Sequence, residues 1–305
     1  MNRIFDLFLE PAIEKGLRDL EANPSHTMRY LVDLALKMST SPQHQRSLQT
    51  LRRALEDEAC GYYRLFPDIA RRVDRDSLKT ICRNLIRNVL GSGSERISQL
   101  ENALGRSIPR GIVFDMQQIE GPPDSAPLEA LIQQSKGLGI YCYLFLTGPQ
   151  GYGMAELAPL FSRHSECIFA VIAPPRAFLQ GDAVPCLNTV YGILMGQDRS
   201  AAQNAATQLA KRRALYGGCV AFGARDNPSA LIQAGADLEL AFLLLLEDGT
   251  STNLAQARTQ DLVTQARESG QYPIIPFYIP PDDPEKQLLR IDWSDGGEQW
   301  NKASL

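Results

Sequence analysis

Acid–base chemistry needs ionisable side chains that converge, and in β/α proteins they converge at the carboxyl ends of strands. Residues of the right type and placement are Asp115, Arg176, Asp198, Arg225, Asp226, Glu247 and Asp248. Each ends or follows a short apolar run. Asp115 and Glu247 are placed to face one mouth, with the charged pairs Arg225-Asp226 and Glu247-Asp248 beside it. Such a set would serve proton abstraction in a lyase or isomerase that needs no cofactor. The same residue types also cap helices and close loops, so each has a structural reading beside the chemical one.

Nucleophilic and metal chemistry find less support. The six cysteines are Cys60, Cys82, Cys142, Cys167, Cys186 and Cys219, and no two are closer than nineteen positions. Metal sites usually draw two ligands from one turn, so this spacing predicts no zinc and no iron–sulfur centre. His26, His44 and His164 are just as scattered. Cys142 falls inside an apolar run and reads as core. Lys136 stands at a helix end, whereas a Schiff-base lysine belongs on a buried strand. There is no Walker loop, no G-x-S-x-G and no G-x-G-x-x-G. The expectation is no metal and no cofactor.

One stretch does look like a ligand loop. Residues 139–151 read as a helix end, a buried strand and then the loop Thr147, Gly148, Pro149, Gln150 and Gly151. A loop at the carboxyl end of a parallel strand is where α/β proteins hold ligands.

The elements that position these residues change character near residue 108. Before it the apolar spacing is helical throughout, as in Ile4, Phe8, Leu9, Ile13 and Leu17. Arg71, Arg72, Arg75, Lys79, Arg83 and Arg87 lie among acids there and read as a mixed-sign surface. Tyr62, Tyr63 and Phe66 read as core or interface. From 108 onward, apolar runs at 111–114, 140–146, 167–173, 190–195, 219–222, 239–246 and 274–279 alternate with helical segments. Near-continuous apolar runs are the mark of buried parallel strands. Asn227-Pro228 and Ser200 read as helix starts, and Gly105, Gly235 and Gly217-Gly218 as helix ends. The fold expected is a partial or full (β/α) barrel of six to seven parallel strands behind an all-helical region. A doubly wound sheet is second. The divisions are 1–107, 108–280 and a tail, 281–305, whose Trp293 and Trp300 could dock on a partner or pack back on the barrel.

With 305 residues, 44% of them apolar, the chain can build a substantial core. Its net charge of −4 gives no basic field for nucleic acid or an anionic membrane. No apolar run reaches membrane-spanning length, and residues 1–10 lack a signal-peptide pattern. The location expected is the cytoplasm.

The order of segments resembles radical SAM enzymes, across roughly residues 80–280 by segment length. Residues 108–116, beginning Ile108-Pro109-Arg110, resemble that family's first strand. Residues 136–143 resemble its second helix end and strand, and 147–151 fall where the family has Gly-Gly-Glu-Pro. Residues 163–170, 192–199, 219–223 and 232–236 resemble the third to sixth units. The resemblance implies a cluster held by three cysteines after the first strand, but residues 117–127 contain none. Without those thiolates there is no electron donor to cleave S-adenosylmethionine. Pro149 replaces a glycine N–H, and Gln150 replaces the acid, in what then reads as a remnant loop. The resemblance therefore implies a pseudoenzyme without an iron–sulfur cluster. Its role would be binding, regulating or scaffolding another protein, either an active radical SAM homologue or a second copy of itself. The alternatives are a cofactor-independent lyase or isomerase, or a small-molecule sensor using the cleft.

Overall fold

The structure, a computed structural model, describes residues 3–20, 22–39, 42–119, 121, 123–148, 154–179, 186–196, 198–280 and 288–293. Helices come first: α1 (Arg3–Asp19), α2 (Pro24–Met38), α3 (Pro42–Ala54), α4 (Tyr62–Arg72), α5 (Arg75–Asn84), a wide-turn segment (Leu85–Gly93) and α6 (Ser94–Leu104). The segment after α5 does not simply end at Gly91, as the glycine–serine run suggests. It kinks there (φ −95°, ψ −106°) and continues into α6. Asn23 and Asp74 cap α2 and α5, and Gly105 ends α6 in the left-handed region, as its position predicts.

Strands and helices then alternate: β1 (Gly111–Met116), α7 (Ser125–Leu138), β2 (Cys142–Thr147), α8 (Met154–Arg163), β3 (Ile168–Ala173), α9 (Pro175–Leu179), β4 (Thr189–Met195), α10 (Arg199–Lys211), β5 (Tyr216–Phe222), α11 (Pro228–Asp237), β6 (Phe242–Glu247), α12 (Asn253–Ser269), β7 (Ile275–Ile279) and β8 (Leu288–Asp292). The pairs are all parallel, in the order β7-β6-β5-β4-β3-β2-β1-β8. The sheet forms a half-barrel with edges β7 and β8 unbonded to each other. Among the described residues it has eight strands, not six to seven. The additional one, β8, is short, carries Arg290 and Asp292, and follows a proline-rich stretch. Its pairing with β1, Gly111 opposite Leu288, supplies what its local sequence does not.

The glycine readings need correcting in two places. Gly217 and Gly218 lie inside β5, and α10 ends earlier, at Lys211. A Cβ on Gly217 would meet the Phe242 ring at 2.6 Å, so the glycine permits close strand contact and caps nothing. Gly235 lies inside α11, where a Cβ would come 2.9 Å from Ile274. The cap of α10 is Asp198, two residues ahead of the expected Ser200, while Asn227 with Pro228 starts α11 as expected.

Strand alternation sorts the side chains. Ile112, Phe114 and Met116 point outward under the helices, where Phe114 stacks on Phe145 at 4.8 Å and Phe161 on Phe169 at 4.3 Å. Trp293 joins this layer, edge-on to Phe114 at 5.3 Å and only 3% exposed. Its backbone N–H donates to Asp115 O at 2.8 Å. Trp293 thus packs back on the barrel, and Trp300 lies outside the described residues.

The helical region packs against the amino ends of the strands. Tyr62, buried in α4, donates its hydroxyl to Arg267 O at 2.8 Å. Leu215, Ala241 and Ile275, which open β5, β6 and β7, belong to the same apolar cluster as Leu55, Leu65 and Val73. Arg71 and Arg72 pair with Asp68, and Lys79 and Arg83 with Glu10. The basic residues there are thus balanced within the layer. Among the described residues no helix is long and apolar enough to cross a membrane.

Trp293→Ala removes a buried indole at the sheet edge and is expected to cost about 3–5 kcal/mol in urea unfolding. A loss below about 1 kcal/mol would mean that β8 does not belong to the cooperative unit.

Candidate functional site

The wall of the half-barrel is aliphatic. Buried Val113, Leu146, Ile172 and Cys219 form its floor, with half-buried Leu144, Leu194, Leu244, Leu246 and Leu288 around them. Phe277 on β7 is 38% exposed. Asp115 follows Val113 at the next inward position, and Asp292 of β8 stands opposite it in the ladder. Asp115 Oδ2 accepts from Arg290 Nε at 3.1 Å and Nη2 at 2.5 Å, and its Oδ1 accepts from Gln117 N at 3.2 Å. Both oxygens are therefore engaged in tying β1 to β8.

The other candidates lie elsewhere. Glu247 is opposite Phe222 in the ladder and shares its helix-facing side, so Glu247 and Asp115 do not face one mouth. Glu247 is 4% exposed and accepts from Ser251 N (3.0 Å), Gly249 N (3.1 Å) and Gln256 Nε2 (3.1 Å). It is the anchor of the loop into α12. Asp248 binds Thr250 through its side chain (2.6 Å) and backbone (2.9 Å), and these bonds hold its carboxyl below the usual range. Asp226 accepts from Gly223 N at 2.8 Å inside its own turn, and Ala224 N donates to Thr250 Oγ1 at 3.3 Å. Those bonds knit the β5 and β6 loops together, with Arg225 exposed upon them. Asp198 is spent as the α10 cap, its Oδ1 3.0 Å from Ala201 N, and Arg176 lies on α9.

Thr147, expected to open the loop, is instead the last residue of β2; it is buried and donates to Ile172 O at 3.1 Å. A Cβ on Gly148 would lie 2.8 Å from Gln117 O, so this glycine lets the β2 loop run against the β1 loop. Pro149, Gln150 and Gly151 lie outside the described residues. The donor set does not suit an iron–sulfur cluster. Past β1 come Gln117, Gln118 and Ile119, and the wall thiols Cys142 and Cys219 are pushed up to about 12 by burial. A cluster needs thiolates, and neighbouring ones.

A denser ionisable group sits at the opposite, amino-terminal end, where sequence reasoning saw only scattered histidines. His164, buried after α8, has Lys136 Nζ 3.0 Å from Nδ1 and Glu129 Oε1 3.4 Å from Nε2. Lys136 also holds Glu166 at 2.7 Å, and Arg163 holds Glu129 at 2.8 Å. A lysine can only donate to Nδ1, so the ring is neutral there. Burial first, and Lys136 second, hold the His164 pKa below 6.5, against the pull of Glu129 and Glu166. Spacing could not show this group, since helix α7 and the turn before β3 bring it together.

No family model matches the chain, and no curated protein matches it. Among solved structures, a similar chain is that described as "Crystal structure of Streptococcus suis SuiB". It is 9% identical with a TM-score of 0.38, over 63% of this chain and 54% of that one. The chain thus spans about half the length of that relative, and a likeness so low transfers no residue role.

Two outcomes are expected. Glu247→Ala removes the charged acceptor of the Gly249 and Ser251 amides and of Gln256, and lowers stability by about 1–3 kcal/mol, measured by urea unfolding. The folded state disfavours the protonated His164, so its contribution is full above pH 6.5 and is lost as pH falls below that value. Melting temperature should therefore drop on acidification below pH 6.5, and His164→Gln should flatten that slope. An unchanged slope would place the titration elsewhere.

Proposed function

We propose that the chain is a radical SAM-like half-barrel that works by binding, as a regulatory or scaffold partner of another protein, and carries no iron–sulfur cluster. The observation that supports this reading is the half-barrel wall. It is aliphatic and partly open, and the Asp115 it carries is tied to Arg290. General acid–base catalysis asks for a free acid and base within reach of one substrate. Asp115 and Glu247 are instead engaged on opposite faces of the sheet. The order of segments along the barrel supports the family likeness, and the cysteine-free stretch after β1 supports the loss of the cluster. The partner fitting that likeness is an active homologue of the same family.

Anaerobically purified protein should be colourless, contain no iron or sulfide, and show no change in melting temperature with S-adenosylmethionine. Brown protein with stoichiometric iron and sulfide would overturn the reading. Leu244→Asp places a charge on the wall. It should abolish copurification of the homologue from the native host while leaving the fold intact by circular dichroism. Equal recovery by both proteins would move the binding surface away from the half-barrel.

A further inference from the structure

A cleft of about 480 Å³ opens at the seam between the helical layer and the barrel. Arg64 of α4 lines it on one side, Gln233 and Asp237 of α11 on another, and Gln271, Tyr272 and Pro273 ahead of β7 on the third. Its volume is that of a small-molecule site. The seam around it is firmly made. Gly61 N donates to Gly270 O at 2.6 Å, and the Tyr62 hydroxyl donates to Arg267 O at 2.8 Å. Gly61 also lies so close to the next turn that a Cβ there would be 2.8 Å from Pro273 N. A ligand would therefore find the walls already in place and spend little on ordering them.

The cleft carries two opposite charges that do not neutralise each other. Arg64 is exposed, its backbone N–H donates to Gly61 O at 3.0 Å, and among the described residues nothing engages its guanidinium. Asp68, one turn further along α4, is taken by Arg71 and Arg72. Asp237 accepts from Gln233 Nε2 at 2.8 Å and from Arg199 Nη2 at 3.3 Å. The Arg199 contact is long and exposed, so it holds the acid weakly, and each carboxylate oxygen keeps a second lone pair. Both charges also sit against their helix dipoles. Arg64 is in the first turn of α4, which has no acid, and Asp237 ends α11, whose last turn has no base. That placement costs the fold and sharpens the polarity of the cleft.

A simple anion would meet Asp237 here, and a simple cation would meet Arg64. A ligand bearing both charges offends neither, and the guanidinium fork suits a carboxylate. We propose that this cleft binds a free α-amino acid, with its carboxylate on Arg64 and its ammonium on Asp237. Gln271 and Tyr272 then stand beside the ligand's side chain.

The test takes the full chain through the common L-amino acids, added singly, with melting temperature as the readout. A saturable rise of a few degrees with at least one of them is expected. Arg64→Gln and Asp237→Asn should each weaken that binding by roughly tenfold or more. Both side chains are exposed, so both variants should keep the wild-type urea midpoint closely. The N-acetyl form of the binding amino acid lacks the ammonium and its amide lacks the carboxylate, and neither should raise the melting temperature. No rise with any amino acid would overturn the site, as would an equal rise in the wild type and either variant. Equal binding of the N-acetyl form would also overturn it, since the cleft would then take an anion without Asp237.

Discussion

Backbone groups at the amino ends of the strands must find partners once a helical layer covers them, and that constraint organises the molecule. Asn84 donates to Ser165 O at 2.8 Å and Cys167 O at 3.0 Å, and Asn88 to Glu166 O at 2.7 Å. Asp74 N reaches Arg213 O at 2.7 Å, and Gly61 N reaches Gly270 O at 2.6 Å. The acceptors lie in the connections that lead into β3, β5 and β7. Where the backbones come closest no side chain fits. A Cβ on Gly93 would collide with the Gly139 carbonyl, and one on Gly61 would lie 2.6 Å from the Tyr272 carbonyl carbon. The wide turns from Leu85 to Gly93 place Asn84 and Asn88 over the same short loop. The helical layer is thus seated on the end of the sheet opposite the one that carries binding loops in β/α proteins.

Much of this architecture was legible because it rests on local chemistry. Strands β1 to β7 are apolar runs, and Asn227-Pro228 and Gly105 follow from the donors and conformations that helix ends require. What escaped depends on contacts made far along the chain. β8 is a strand because β1 lies beside it, 177 positions away for Gly111 and Leu288. Gly217 and Gly235 look like helix ends from sequence, yet they answer to Phe242 and Ile274. A glycine needed for space and one needed for a turn are the same residue in a sequence.

The candidate site shows the same limit more sharply. Carboxylates at strand ends were easy to find, but type and position do not say which way a side chain is spent. Asp115, Asp226, Glu247 and Asp248 each accept bonds from a β8 arginine or from nearby loop groups. A carboxylate satisfied by two or three donors is poorly suited to act as a base, because taking a proton means giving up those bonds. The Lys136–His164–Glu166 group was the harder one to see, since its members come from α7 and the turn before β3.

Alternation along each strand decides what remains for function. The helix-facing side took most of the aromatic residues and is buried. The inner side took leucine and valine, and the half-barrel leaves several of them half-covered. A polar wall could be solvated at no cost and would need no occupant. An aliphatic one keeps a free energy of about 25 cal/mol for each Å² that a partner could cover. The same surface invites unwanted pairing at an open edge, and β7 carries Pro276, a residue that edge strands use to blunt such pairing. Chemistry would require this wall to hold charges away from water. Association, the role proposed above, asks only that it stay apolar and reachable.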